Sequence, residues 1–414
     1  MATTTINLNN IRQVTYNGVS VYDFLINGQS VWKGLPAVYP YSQQGSDFVV
    51  AEDAPTNFNG SYSHNLYISS DGSTLVYASP KQDHNGELRN GLVRVYKTSD
   101  AGVTWFQHGP DLIGELEADH LGSHVDMSYD GSVLVVGAWL DGPGDNGAIY
   151  TYSHTSTGYS LVSKTIGPAR IPDNGQYVQY SGDTVPEFGD RFSVSDNGLV
   201  MLATSRSEST LIPTDGGNAP ANTGGVRIYT RSSKSDTWGE RAFFRNTDGT
   251  RYAGEVYVLS GDGNVWGWAG EDNNLRLYTT KNGSLSHGNA HEMHSLAGIY
   301  SNPVLSYDGT RLLYGTKVYE LPINSSYTFT PPDVIQTLSN SGDDERFMNG
   351  NNTIFMNNGG VRRYDLLDGE YIDRGIIAPV KMIGVGPEGE ESDAAIYAEG
   401  PKTETVIYKL YTNN

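Results

Sequence analysis

The amino-acid sequence predicts an all-β chain: a seven-bladed β-propeller of four-stranded blades, preceded by a small N-terminal β-meander. Three observations carry this expectation. An apolar strand–turn–strand unit recurs after about residue 45, a second alternating strand follows each copy and ends in Tyr, and the composition is rich in Gly and Tyr. With 49 Gly, 28 Tyr and only 18% charged residues in 414, short strands joined by tight turns suit the chain better than helices. No stretch holds a sustained apolar 3.6-residue period, which argues against an α/β fold.

The hairpin unit reads Leu66-Tyr67-Ile68-Ser69-Ser70-Asp71-Gly72-Ser73-Thr74-Leu75-Val76-Tyr77-Ala78. It returns around Asp130-Gly131, Asn197-Gly198, Asp262-Gly263 and Asp308-Gly309, with weaker copies at Asn349-Gly350 and Gly386. Asp-Gly and Asn-Gly supply the positive φ that two-residue hairpins require. The second strand ends at Tyr96, Tyr152, Tyr229, Tyr278, Tyr319, Tyr364 and Tyr411, in steps of 56, 77, 49, 41, 45 and 47 residues. Seven copies at this spacing match seven blades, and the long steps read as insertions at Asp173–Glu187 and Ile212–Thr223, the expected contact loops.

A fourth strand follows most copies, often near an aromatic residue: Trp105, Tyr159, Trp238, Tyr327 and Tyr371. The strand Asp47–Glu52 precedes the first copy, while the last copy ends near the C-terminus. The first is expected to complete the sheet of the last and so close the ring, sparing both a bare edge. The domain reading is residues 1–35 as a docking segment, 36–45 as a linker and 46–414 as the propeller.

Net charge is −20, which repels nucleic acid and anionic membranes, so neither is expected as a partner. Cysteine is absent, which excludes disulfides and thiolate metal sites and suits synthesis in a reducing cytoplasm. The start shows no secretory signal, and no apolar run reaches the ~20 residues that span a bilayer.

Two motifs carry a family resemblance. Leu121-Gly122-Ser123-His124 leads through Gly137-Ala138 to Asp141-Gly142-Pro143-Gly144-Asp145-Asn146-Gly147, and Phe188-Gly189-Asp190-Arg191-Phe192 opens the next copy. These resemble the FG-GAP repeat of integrin-α-like propellers, although Gly-Ala-Pro is here Gly137-Ala138-Trp139 and later copies lose the Phe-Gly. The resemblance implies a calcium loop at Asp141 and Asp145; the alternative is a turn held by Asx hydrogen bonds. No other cofactor is expected. Thr98-Ser99-Asp100-Ala101-Gly102-Val103-Thr104-Trp105 resembles the Asp-box, which sialidases share with non-enzymatic propellers, and implies a structural turn carried by Ser99, Asp100, Gly102, Thr104 and Trp105.

Catalysis is not expected. A propeller glycosidase needs paired carboxylates, and a sialidase an arginine cluster as well. Glu115, Glu117, Asp119, Asp343, Asp344 and Glu345 are plentiful in an acidic chain, with no matching placement of arginines. The sharpest metal-like run is His287-Gly288-Asn289-Ala290-His291-Glu292-Met293-His294, which reads either as zinc ligands or as a solvated connection between blades. No nucleophile elbow, P-loop or dinucleotide fingerprint is present.

Residues 11–35 differ in kind from the repeated propeller units. Tyr16-Asn17-Gly18-Val19-Ser20-Val21-Tyr22 repeats ten residues on as Ile26-Asn27-Gly28-Gln29-Ser30-Val31-Trp32, and reads as a three-stranded meander. So short a unit cannot bury its own apolar residues, so Tyr16, Val19, Val21, Tyr22, Leu25, Val31 and Trp32 are the expected docking residues. Their partner surface is either another protein or the chain's own propeller. Hairpins of this style resemble the N-terminal pieces of tailed-bacteriophage virion proteins. That resemblance implies a virion structural protein, made in the host cytoplasm, anchored to capsid, neck or tail and presenting its propeller for assembly or host attachment. The alternatives are a propeller that binds or cleaves a host glycan, and an integrin-like adhesion propeller.

Overall fold

The computed structural model describes residues 65–100, 102–168, 186–208, 223–244, 251–280, 303–321 and 333–338, and most of 352–378. Beyond these it describes the backbones of ten further strands, in residues 14–49, 290–296, 346–349 and 381–412. The chain is all-β, with no helix among the described residues. Antiparallel sheets follow one another along the chain in a propeller-like arrangement, each built from consecutive strands except the last, which adds an N-terminal strand.

The second sheet shows why the sequence folds this way. Its strands Leu121–Met127, Val133–Ala138, Ala148–Thr155 and Gly158–Ile166 pair in chain order. Val133–Ala138 is buried at every position, so it reads in sequence as a continuous apolar run rather than an alternation. Successive side chains point to opposite faces of a strand, and both faces here are covered. Leu134, Val136 and Ala138 join Val76, Ala78, Val93 and Val95 of the preceding sheet in one core. Val133 and Val135 join Phe192, Met201 and Ala203 of the following sheet in another. The same sharing recurs downstream: Val200 and Leu202 with Trp266 and Trp268, Leu275 and Leu277 with Leu312, and Leu313 and Val318 with Ile354 and Met356. Each fully buried side chain contributes about 1.5–3 kcal/mol, so the sheets hold one another through these shared cores.

The first strands of the sheets, Asn65–Ile68, Leu121–Met127, Phe192–Val194, Val256–Leu259, Val304–Leu305, Arg346–Asn349 and Lys381–Val385, lie against one another in succession. Lys381–Val385 also lies against Asn65–Ile68. Each has a ladder partner on one side only, so its other side carries unpaired backbone groups. Side chains from the preceding sheet fill several of them. The Tyr67 hydroxyl accepts the Val125 N–H. Ser123 Oγ donates to Gly189 O at 3.2 Å, His124 Nε2 to Phe192 O at 3.0 Å, and Asp126 Oδ2 accepts Val194 N at 2.7 Å. Arg191 Nη1 donates to Glu255 O at 2.5 Å. Burial pushes the His124 imidazole down to about 4 and the Asp126 carboxyl up to about 6.

Strand Ser42–Val49 pairs antiparallel with Ile407–Thr412, so the expected union of an N-terminal strand with the last sheet is present. It starts earlier than the sequence suggests, and the linker read at 36–45 ends before Ser42. The polar run Ser42-Gln43-Gln44-Gly45 has no strand signal of its own and gains its ladder partner from the far end of the chain. The N-terminal piece also differs from the three-stranded meander. It forms two separate hairpins, Val14–Tyr16 with Val19–Val21 and Asp23–Ile26 with Gln29–Lys33. Both close across the Asn-Gly pairs, Tyr16 opposite Val19 and Ile26 opposite Gln29, as two-residue turns should. The middle stretch divides at Tyr22 into two short strands, each with its own partner, so the ten-residue repeat marks two copies of a hairpin.

Candidate binding rims at the two ends of the sheets

Connections from first to second strand emerge at one end of the sheets; those from second to third strand and between sheets emerge at the other. The first end is built five times over by one bonding scheme. In Ser128-Tyr129-Asp130-Gly131-Ser132-Val133, Ser128 Oγ donates to Asp130 Oδ1 at 2.8 Å and accepts Val133 N at 3.0 Å, and Asp130 Oδ1 accepts Ser132 N at 3.0 Å. Ser69 with Asp71, Ser195 with Asn197, Ser260 with Asp262 and Ser306 with Asp308 repeat this. All five serines are buried. Their hydroxyls satisfy a donor that would otherwise be stranded in the core.

The turns are also tied in series. Asp71 N donates to Tyr129 O, Tyr129 N to Asp196 O, Asp196 N to Gly261 O and Asp262 N to Tyr307 O, at 2.8–2.9 Å. Tyr129, Asp196, Gly261 and Tyr307, each the residue after its serine, thus give backbone groups to the row, and the side chain at this position stays out of the scheme. Those side chains are Ser70, Tyr129, Asp196, none at Gly261, and Tyr307. Tyr129 and Tyr307 are 42% and 48% exposed, high for tyrosine in so regular a setting. Burial, with Asp262 nearby, raises the Asp196 carboxyl.

The opposite end is built differently. Gly91, Gly147 and Gly224 bridge in parallel to Leu121, Phe188 and Ala253, the residues that open the next sheet. Gly147 has φ +82°, and a Cβ there would lie 1.9 Å from Phe188 O. Ala253-Gly254 occupies the place of Phe188-Gly189, so the geometry persists where the Phe is lost. Immediately before these pairs stand His120, Glu187 and Tyr252, with φ of 58°, 57° and 58°. Non-glycine residues rarely hold this conformation, and it costs of order 1 kcal/mol or more each.

Around them the side chains differ from sheet to sheet. The His120 ring lies 5.5 Å from that of Trp139, and burial pushes its imidazole down to about 4. Arg206 pairs with Glu255 at 2.9 Å and stacks over Tyr252 at 5.3 Å. Arg227 grips Glu208 in a buried bidentate pair at 2.6 and 2.9 Å. Glu208 O also accepts Gly224 N at 3.0 Å, so the chain enters and leaves segment 209–222 at one clamped neck.

The two carboxylates expected to hold calcium differ in their surroundings. Asp141 is buried, accepts the Tyr150 hydroxyl at 2.5 Å and pairs with Lys164 Nζ at 3.0 Å, whereas Asp145 is exposed. A carboxylate already neutralised by an ammonium group and a phenol is a poor ligand for a hard cation. Lys164 also reaches Glu115 at 3.2 Å; burial lowers its basicity, but the two carboxylates outweigh that and hold it above the usual range. Among the described residues no group of three or more His, Asp or Glu side chains is placed to hold a metal ion. The histidine run is not an inter-blade connection either: Ala290–Leu296 is a strand, with His291 opposite Thr279 and His294 opposite Leu277, while His287 lies outside the described residues. The Gly-Asn punctuation suggested a loop; the neighbouring strand Leu275–Thr280 supplied the pairing that overrides it.

The turn 98–105 is organised by Asp100, whose carboxylate accepts Thr104 N at 2.8 Å and Thr104 Oγ1 at 2.6 Å. These bonds hold its carboxyl below the usual range. Gly102 takes φ +87°, and Trp105 Nε1 donates to Gly102 O at 3.0 Å. The hydroxyl that completes the turn is that of Thr98, which accepts Gly102 N at 3.0 Å, while Ser99 is exposed. Of the docking residues, Tyr16, Val19, Val21, Leu25, Val31 and Trp32 fall on the hairpin strands, with Phe24 opposite Trp32 and Val14 opposite Val21. Tyr22 and most of both contact loops lie outside the described residues. No protein-family model matches this sequence, and no curated protein matches it.

Proposed function

We propose that this chain is a non-enzymatic structural protein of a tailed-phage virion, in which a seven-bladed β-propeller is anchored by the N-terminal hairpins and displayed for assembly or host attachment. The observation that carries the reading is that, among the described strands, each hairpin takes its ladder partner from within itself, while the last sheet takes its N-terminal strand from Ser42–Val49. The hairpins therefore add no strand to the described sheets, which in this reading leaves their apolar residues for another surface. Sheets that share cores with both neighbours, and a last first-strand that touches the first, support a closed ring of seven blades. Binding is favoured over catalysis because buried carboxylates are spent on structure: Asp126 on the Val194 N–H, Asp141 on Lys164 and Tyr150.

The test is deletion of residues 1–35 in the phage that carries the chain. The truncated protein is expected to fold with an unchanged cooperative melt and to be missing from purified particles by mass spectrometry. Incorporation at the full-length level, or absence of the full-length chain from particles, overturns the proposal.

A further inference from the structure

The Ser-x-Asp/Asn-Gly row bonds the serine hydroxyl to the Asp or Asn side chain in each turn and leaves out the side chain between them. That one position varies, and it is where a repeated scaffold is free to carry recognition. Along the row it reads Ser70, Tyr129, Asp196, Gly261, Tyr307. Asp196 stands between Tyr129 and Gly261 at a position filled by four different residue types, so it is not fixed by the turn. No hydrogen bond or ion pair to its carboxylate is found among the described residues, whereas Asp130 is paired with Lys234 at 3.1 Å. Gly261 lets two groups converge: a Cβ there would lie 2.6 Å from Tyr307 Cδ2 and 2.8 Å from Asp196 Oδ2. The result is an unneutralised carboxylate flanked by two exposed phenol rings, on a protein of net charge −20.

We propose that Tyr129, Asp196 and Tyr307 form a docking notch for a lysine or arginine side chain of a basic partner protein. A carboxylate meets an ammonium or guanidinium group with charge-assisted hydrogen bonds, and aromatic faces beside it attract the same cation. The protein's overall charge steers basic partners toward it. The notch is at the end of the sheets opposite the one from which segments 169–185 and 209–222 leave, and it does not depend on the hairpin reading.

The test is titration of the full chain with fluorescein-labelled hexalysine, read by anisotropy at physiological ionic strength, with hexaglutamate and cellohexaose beside it. Asp196→Asn is expected to weaken hexalysine binding about tenfold with an unchanged melting midpoint, because that side chain holds nothing in the turn. Gly261→Ala, whose methyl group forces Tyr307 and Asp196 apart, is expected to weaken it as well. Glu117→Gln, removing an exposed charge at the opposite end of the sheets, is expected to leave it unchanged. Equal loss in Glu117→Gln shows attraction to the overall charge only and overturns the notch. So does an unaffected Asp196→Asn, or binding of cellohexaose with hexalysine ignored.

Discussion

The two ends of the sheets are made from the same strands and follow opposite rules. At the Ser-x-Asp/Asn-Gly end, five turns share one set of hydrogen bonds, and the glycines at 72, 131, 198, 263 and 309 all take positive φ. At the other end, positive φ falls on His120, Glu187 and Tyr252, and the ion pairs differ from one sheet to the next. Strain on non-glycine residues persists only where surrounding contacts over-determine it. The regular end therefore reads as scaffold whose one free position is variable, and the irregular end as the place where each sheet has been fitted to its own loops.

Four substitutions sharpen that contrast. Gly147→Val should be the most damaging, because its Cβ has nowhere to go beside Phe188 O; a loss above about 4 kcal/mol, or failure to fold, is expected in urea unfolding. A loss below about 1 kcal/mol would show that the junction between sheets two and three relaxes freely. Glu208→Ala leaves the buried Arg227 with only the exposed Glu240, 3.4 Å from its Nε, and should cost about 3 kcal/mol by the same measurement. If protease sensitivity between residues 209 and 222 does not rise with it, the pair does not clamp that neck. Ser195→Ala and Ser128→Ala each strand a buried N–H, at Val200 or Val133, and should cost about 1–3 kcal/mol. The two costs should agree, since the turns are equivalent; a large disparity would break the claim of a common scheme.

The smallest effect concerns pH. The folded-state value of His124 is depressed from 6.5 to about 4, so its contribution is complete above pH 6.5 and is lost as pH falls toward 4. The folded-state value of Asp126 is raised from 3.8 to about 6, so its contribution is complete below 3.8 and is lost as pH rises toward 6. Between pH 4 and 6 the two slopes oppose each other. His124→Gln should therefore lose less stability on acidification than the parent chain, and Asp126→Asn should lose more. His120, also near 4, contributes equally to all three. Parallel pH profiles of urea midpoints would remove both groups from the account.

How far the sequence could be read depended on whether a signal was local. Asp130-Gly131 and Asn27-Gly28 announced hairpins because the φ requirement belongs to those residues alone. The serine before each turn was equally visible, yet its task was not, because accepting Val133 N or Val200 N requires the strand already folded beside it. The partners of Asp141 were hidden for the same reason. Its Gly-rich surroundings suggested a cation, and only the paired strands bring Tyr150 and Lys164, themselves opposite one another, against its carboxylate. Ala253-Gly254 was missed because the signal lies in the backbone of Gly254 rather than in the Phe it lacks.

What the sequence determined by itself is therefore the unit: a strand, a two-residue turn, a second strand and a Tyr-terminated third, with both faces apolar enough to need cover. Those properties depend on dihedral preference and side-chain alternation within about ten residues. What the tertiary structure decided is how the units meet. Tyr67, His124 and Asp126 capping the bare edge of the next sheet, Ser42–Val49 joining Ile407–Thr412, and Asp196 converging with Tyr307 over Gly261 are contacts between distant segments. Such pairings follow from which edges and charges remain unsatisfied once the units pack, and no local pattern records them.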